Sequence, residues 1–577
     1  MIETIQDLVE SFKTRKSLCL SGGTNFTYRE AYEYITTLSK GLLASGLNSG
    51  DRVLLISKNR PEWMLVSLAL SYAGLIDVPR GEKASEGELN YIIKHSMPKI
   101  VIADTQKQAE RVGEFRNIVT IDPVEGYTWL DEILEKGRRS SKKIPSVNPD
   151  TIASHLYTSG TTGEPKGAEL SHGNFISNTL AASRSIKVFS HDTYLSVLPL
   201  WHVFERLVEY LILYSYGSIY YSSISTFAND LKSIQPTITA LVPRILEKIF
   251  DKRVAEKVAE KSQVQRSIFK VFVGMSAQSR TSNLNPLHWL GILPRNYMEK
   301  QVFSKLREGF GGNMRIIVSG GGKLRQDIDK FFYAAGMPII EGYGLTETSP
   351  VIAVRTFENW KLGTVGPPLD NLEVKIVDSE TGIEKRKGKT GVIYVKGPSV
   401  MRGYYKNAYE TKRALNDGWF DTGDLGFIDS RGNLTITGRK KNIIVLSNGE
   451  NISPEPIEET LKKCPVIANA IIIGQDWKGL GALIEPDFEN VEKLIPGYDG
   501  RLDNPEVLKY FKRQIRDLVN PLTCFREFEC IKAFRLLRKN LEAGRELTET
   551  LKVKKAVIEK SFSREIESLS QEINGKK

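Results

Sequence analysis

The segment 156-LYTSGTTGEPKGAELSHGN-174 decides how the rest of this sequence is read. An apolar, β-prone run enters a loop of glycines and hydroxyl residues that closes on a lysine. Glycines let successive backbone N–H groups turn towards one anion, while Thr158, Ser159, Thr161 and Thr162 add hydroxyl donors and Lys166 a cation, so the loop suits a phosphate group. Gly160 and Gly163 give it the required freedom. It is not a Walker A loop, because Lys166 is not set in the Gly-Lys-Ser/Thr ending of that motif. A strand followed by a phosphate loop belongs in an α/β protein.

Outward from this loop, short apolar runs such as 52-RVLLIS-57, 99-KIVIAD-104, 238-ITALVP-243 and 315-RIIVSG-320 alternate with helical patterns, as in parallel sheets with helical crossovers. From about residue 364 the texture changes to hairpin-like strands, 373-EVKIVD-378, 391-GVIYVKG-397 and 433-NLTITGR-439. Beyond it come a strand in 469-NAIIIG-474 and an amphipathic helix in 505-PEVLKYFKRQIRDLVN-520, closed by Pro521. The expected fold is α/β: a large N-terminal region of parallel sheets with a small β-rich subdomain at about 364–438, then a small α+β domain. The boundary is placed at 438/439, giving domains 1–438 and 439–577. The stretch from 247 to 310, including 287-LHWLGILP-294, reads as helical with one apolar face, which suits core packing, a substrate tunnel wall or a membrane-surface patch.

The composition sets limits. With 577 residues, 41% hydrophobic and 26% charged, the chain can bury large cores and is neither fibrous nor disordered. Four scattered cysteines without a CxxC pair exclude a disulfide framework and favour a reducing, cytoplasmic setting. The acidic N-terminus does not read as a signal peptide, and Leu207 to Tyr216 is too short and too charged to span a bilayer, so membrane contact is expected to be peripheral at most. The net charge of +11 is spread among acids, as in 252-KRVAEKVAEK-261, which points away from nucleic acid and towards small polyanions such as ATP or coenzyme A.

The loop resembles the phosphate-binding signature of the adenylate-forming (AMP-binding) enzymes, which include acyl-CoA synthetases, luciferases and peptide-synthetase adenylation domains. Further segments agree in the expected order: 341-EGYGLTETSP-350 with the adenine and metal motif, 418-GWFDTGDLGFID-429 with the ribose motif, and 438-GRKKNIIVLSNGENISPEPIE-458 with the hinge motif. The chemistry of the residues suits those roles. Tyr343 offers a face for a purine, Thr346 a hydroxyl for the α-phosphate, Glu347 a hard oxygen for Mg²⁺, and Asp424 two oxygens for the ribose hydroxyls. The resemblance further implies that Gly320 and Gly321 of 319-SGGGKL-324 lie against adenine with Glu341 and Gly342, that Arg439 contacts the nucleotide, and that Thr158 shares the metal with Glu347. It implies that the large N-terminal region holds two sheet subdomains, that the small C-terminal domain is mobile and turns at Lys441 between half-reactions, and that the active site lies in the cleft between the domains. Val445 and Asn451 stand near places where some relatives carry a ligand-binding lysine and tryptophan.

Among such enzymes the tail 546-ELTETLKVKKAVIEK-560 resembles the Thr-x-Thr-x-Lys-x-Lys variant of long-chain acyl-CoA synthetases, which implies Lys552 as the late catalytic lysine, with Lys554 and Lys555 as alternatives. The stretch 197-VLPLWHVFERLVEYLILYSYG-217 resembles the same subgroup and points to Trp201 and His202 at the acid site, although His202 also suits a core role. The implied activity is ATP-dependent ligation of a long-chain fatty acid to coenzyme A, with ATP, Mg²⁺ and coenzyme A required. An acyl-acyl carrier protein synthetase shares every nucleotide motif and is the enzymatic alternative. A catalytically silent acyl- or nucleic-acid-binding protein is the alternative from another class.

Overall fold

The computed structural model describes residues 2–158, 165–251, 263–278, 296–358, 360–523, 525–542, 544–548 and 553–575. The segment 287–294 and part of the long amphipathic stretch lie outside them. The chain forms two compact units. One comprises the residues up to Val374 with Tyr394–Thr422 and Arg431–Leu434; the other comprises Lys375–Ile393, Gly423–Ser430 and Thr435–Lys577.

The first unit contains two eight-stranded sheets. In one, the strands run in the order Gly403–Tyr404, Lys166–Ser171, Ile152–Thr158, Ile76–Arg80, Arg52–Ile56, Ile100–Ala103, Ile118–Thr120 and Thr128–Trp129. Its inner pairs are parallel, and an antiparallel edge is made by Lys166–Ser171 between its two neighbours. In the other, Ile238–Leu241, Ile316–Ser319 and Ile339–Gly344 lie side by side in parallel, and Val351–Val354 closes the edge antiparallel. The apolar runs read from the sequence are therefore the buried parallel strands, as the alternation with helices requires. The β-rich stretch forms a five-stranded sheet containing Glu373–Val377, Gly391–Lys396, Leu415–Asn416, Trp419–Ile428 and Leu434–Arg439. The second unit has a three-stranded sheet of Ile467–Ile473, Leu480–Pro486 and Ile531–Leu536, covered by helices that include Pro505–Leu518.

The helix Val203–Tyr214 lies within the first unit's core and is buried over almost its whole length. Its charged residues must therefore find partners in the protein. Glu205 accepts a hydrogen bond from Tyr194 Oη at 2.7 Å and Glu209 one from Tyr221 Oη at 2.8 Å, both tyrosines belonging to the second sheet. Arg206 points the other way. It pairs with Asp77 and donates to Ser154 Oγ at 3.1 Å, both on the first sheet, and to Ser67 Oγ at 2.7 Å on the helix Pro61–Tyr72. One helix thus ties both sheets by charge and hydrogen bonding as well as by packing. Burial pushes both glutamates up, Glu209 to about 8.

Breaking the Arg206–Asp77 pair strands a buried charge, so Arg206→Ala is expected to cost about 3–5 kcal/mol. Urea unfolding checks this: the double variant Arg206→Met, Asp77→Leu, which leaves no lone charge, is expected to recover much of the loss.

Candidate active site

The phosphate-type loop connects two antiparallel strands that are paired up to its base, with Thr158 opposite Lys166. Ser159, Gly160, Thr161, Thr162 and Gly163 lie outside the described residues. Thr158 Oγ1 reaches the Lys166 carbonyl at 3.5 Å, within the ladder. Lys166 projects its ammonium over the ring of Tyr404, 5.4 Å from the centroid, and pairs with the carboxylate of Glu410. Tyr404 sits on the short strand that pairs with Lys166–Ser171, opposite Ala168. Its hydroxyl donates to Glu347 Oε1 at 2.8 Å, and Met401 N donates to the Glu347 carbonyl at 2.8 Å. Burial, reinforced by the Glu347 carboxylate, raises the Tyr404 phenol far above its usual range, so it stays a donor. A chain of contacts therefore runs from Glu410 through Lys166 and Tyr404 to Glu347. A cavity of about 250 Å³ opens at Lys166, lined also by Tyr91, His95, Tyr405 and Tyr409.

The segment 341-EGYGLTETSP-350 ends a parallel strand and turns back at once. Gly342 and Tyr343 pair with Val354 and Ala353, and a side chain at Gly344 would run into the Pro350 carbonyl. Thr346–Thr348 form a single 3₁₀ turn that carries Thr346 and Glu347. Asn178 clamps the turn from the helix His172–Ser185: its Nδ2 donates to the Val351 carbonyl at 2.8 Å and its Oδ1 accepts from Val351 N at 3.1 Å. Glu341 is buried and accepts from Leu324 N at 3.1 Å, with Arg355 3.6 Å away. Its backbone is held too, since Arg355 N donates to its carbonyl at 2.9 Å.

Gly320 and Gly321 follow the strand Ile316–Ser319, one strand over from Glu341, and Gly321 takes a positive φ of 77°. A Cβ on Gly320 would lie 3.1 Å from the Phe204 ring and 3.5 Å from the Gly342 carbonyl, so glycine permits this close approach. Phe204 is the second residue of the helix Val203–Tyr214, which His202 caps by accepting from Phe204 N on Nδ1 at 3.3 Å. That places the neutral ring's proton on Nε2. Trp201 adjoins His202, with ring centroids 5.9 Å apart, and has Arg80 over its face at 5.4 Å. The acid-site candidates and the glycine segment thus meet at Phe204.

In the second unit, Asp424 is buried and pairs with the more exposed Arg439, Nε to Oδ1 at 2.8 Å, across the strands Trp419–Ile428 and Leu434–Arg439. Lys441 lies exposed in the 3₁₀ turn Lys440–Asn442, and the next residue, Asn442, donates to Glu455 Oε1 at 2.7 Å. Val445 and Asn451 stand directly opposite each other in a two-stranded ladder. Lys552 lies outside the described residues. Of its alternatives, Lys554 donates its ammonium to the Gly544 carbonyl at 3.1 Å, and Lys555 begins the helix Lys555–Ser561.

Residues 7–405 match the AMP-binding enzyme family, and 441–573 match the AMP-binding enzyme C-terminal domain. The chain belongs to the AMP-binding enzyme family. A long-chain-fatty-acid–CoA ligase, FadD15, of Mycobacterium tuberculosis is 31% identical over 95% of this chain and 92% of its own. A chloroplastic long-chain-fatty-acid–[acyl-carrier-protein] ligase, AEE15, of Arabidopsis thaliana is 32% identical over 82% of this chain and 73% of its own. The crystal structure of ATP-bound MatB from Rhodopseudomonas palustris superposes with a TM-score of 0.73, covering 97% of this chain and 99% of its own, at 24% identity.

Two members of the site escape a motif reading. Tyr404 and Glu410 stand well over 200 residues from Lys166 in sequence and reach it only through the edge-strand pairing. No spacing rule signals them.

Glu341 gives a pH test. Burial outweighs the opposing Arg355 and holds its carboxyl at about 7, above the ordinary value of 4.5. The folded state keeps this proton where the unfolded chain has lost it, so this group's contribution falls as pH rises from about 4.5 to 7. Relative to Glu341→Gln, the native protein is expected to lose stability across that window, as read from urea midpoints at each pH.

Proposed function

We propose that this protein activates a long-chain fatty acid with ATP and transfers it to coenzyme A. In the first half-reaction a carboxylate oxygen attacks the α-phosphorus, the bond to the β-phosphate breaks, and pyrophosphate leaves. In the second, the thiol loses its proton and attacks the acyl carbon, and AMP departs with the oxygen the acid supplied. Neither half needs a covalent enzyme intermediate, so positioning and charge neutralisation carry the catalysis.

The observation that supports this most is that Lys166 and Glu347, a phosphate-type cation and a carboxylate, are joined through Tyr404 within one compact unit. In this reading Lys166 and Thr158, with Ser159 to Gly163, receive the β- and γ-phosphates, and Thr346 receives the α-phosphate. Gly320, Gly321, Gly342, Tyr343 and Glu341 bound the adenine, while Trp201 and His202 border the acid. Glu347 and Thr158 would hold the Mg²⁺, which when bound neutralises phosphate charge. A single carboxylate suits Mg²⁺, which takes the rest of its oxygen ligands from water and substrate phosphates. Asp424 and Arg439 serve the ribose side, Lys552 the adenylation step and Lys441 the domain rotation. A long acyl chain is favoured by the mycobacterial and plant relatives named above.

The carrier-protein ligase among those relatives supports a second reading, in which the thiol belongs to an acyl carrier protein. Among the described residues no helix is long and apolar enough to cross a membrane.

Pyrophosphate release from ATP and Mg²⁺, followed across fatty acids of increasing length with and without coenzyme A, tests the proposal. Sustained release that peaks with long chains and yields acyl-CoA is the expected result. Release without acyl-CoA would move the acceptor to a carrier protein, and no release with any acid would overturn the proposal.

A further inference from the structure

Lys166 already has an anionic partner in the protein. It pairs with Glu410, and both side chains are largely withdrawn from water, at 13% and 16% exposed. The turn that delivers Glu410 is tightly held. Asn407 Oδ1 caps the helix Ala408–Ala414 by accepting from Glu410 N at 3.0 Å. Thr411 Oγ1 accepts from Tyr404 N at 2.9 Å and donates to the Asn407 carbonyl at 2.8 Å. Glu410 is therefore fixed to the same short strand that sets the Tyr404 ring beneath Lys166. The Lys166 hydrogen bond holds the Glu410 carboxyl below its ordinary range. Its other oxygen, Oε1, lies 3.4 Å from Arg413, whose side chain is 57% exposed.

This arrangement has three consequences for a phosphate-binding lysine. The ammonium is held in place before substrate arrives. The polyphosphate must compete with a carboxylate for it. The displaced carboxylate keeps a second cation, Arg413, already paired with it one turn along its own helix.

We propose that Glu410 is a positioning residue that stands in for the polyphosphate: it holds Lys166 until ATP binds, yields it to the phosphates while Arg413 keeps hold of the carboxylate, and takes it back as pyrophosphate leaves. This rests on the reading of Lys166 as a phosphate-binding group. Glu410 thereby weakens ATP binding and speeds release of pyrophosphate, and Arg413 opposes it by stabilising the displaced carboxylate.

The test is the ATP dependence of pyrophosphate release at saturating fatty acid, with pyrophosphate as product inhibitor. Glu410→Gln is expected to lower KM for ATP by about two- to tenfold, the scale of a partly exposed ion pair, and to tighten inhibition by pyrophosphate by a similar factor. Arg413→Ala is expected to raise KM for ATP by about two- to threefold in the native background and to leave it unchanged beside Glu410→Gln, as a coupled pair requires. A merely structural Glu410 predicts neither the fall nor the opposite sign at Arg413. If Glu410→Gln does not fold, the Arg413→Ala shift still decides. Unchanged or raised KM in Glu410→Gln, or no shift in Arg413→Ala, overturns the proposal while leaving the native activity intact. A native enzyme that binds no ATP would instead remove the functional reading on which it rests.

Discussion

The buried pair between Arg206 and Asp77 is the interaction on which the larger unit depends. Two sheets with helices between them can slide if only apolar surface joins them, because hydrophobic packing is not directional. Here the helix Val203–Tyr214 carries directional contacts to both, through Glu205 and Glu209 on one side and Arg206 on the other. The start of that helix is held with it. His202 caps it and Phe204 packs where Gly320 leaves room, so the acid-site candidates are aligned with the glycine segment by the same contacts that join the sheets.

A second set of contacts organises the polar side of the site. The antiparallel edge of the first sheet places Thr158 opposite Lys166 and sets Tyr404 beside them. Charge then alternates along the chain of contacts, from the Glu410 carboxylate to the Lys166 ammonium, over the Tyr404 ring, and through its hydroxyl to the Glu347 carboxylate. The Lys166 ammonium and the Glu347 carboxylate are thus coupled through one tyrosine. Neither is left bare in a partly buried setting, where an unpaired charge is costly.

Much of the fold was legible because parallel strands buried on both faces are continuous apolar runs, and 52–57, 99–104, 238–243 and 315–320 all contain observed strands. The motif order was legible because glycine-rich turns impose local rules, as at Gly344, where backbone crowding allows no side chain. What escaped were partners made by topology. Nothing near Glu410 or Tyr404 advertises a contact with residue 166, since that contact arises when an edge strand from far along the chain joins the sheet. The burial of 203-VFERLVEYLILY-214 carries no local signal either, because nothing near Glu205, Arg206 and Glu209 marks their partners on two sheets. Arg439 shows the same limit: its pairing with Asp424 joins two strands of one sheet and carries no local signal.

The central claim is that the acid's own oxygen attacks the α-phosphorus. A long-chain fatty acid labelled with ¹⁸O in both carboxyl oxygens, turned over with ATP, Mg²⁺ and coenzyme A, tests it by mass spectrometry of the products. The account predicts AMP carrying one ¹⁸O and acyl-CoA keeping the other. Label in orthophosphate or pyrophosphate, with none in AMP, would contradict it.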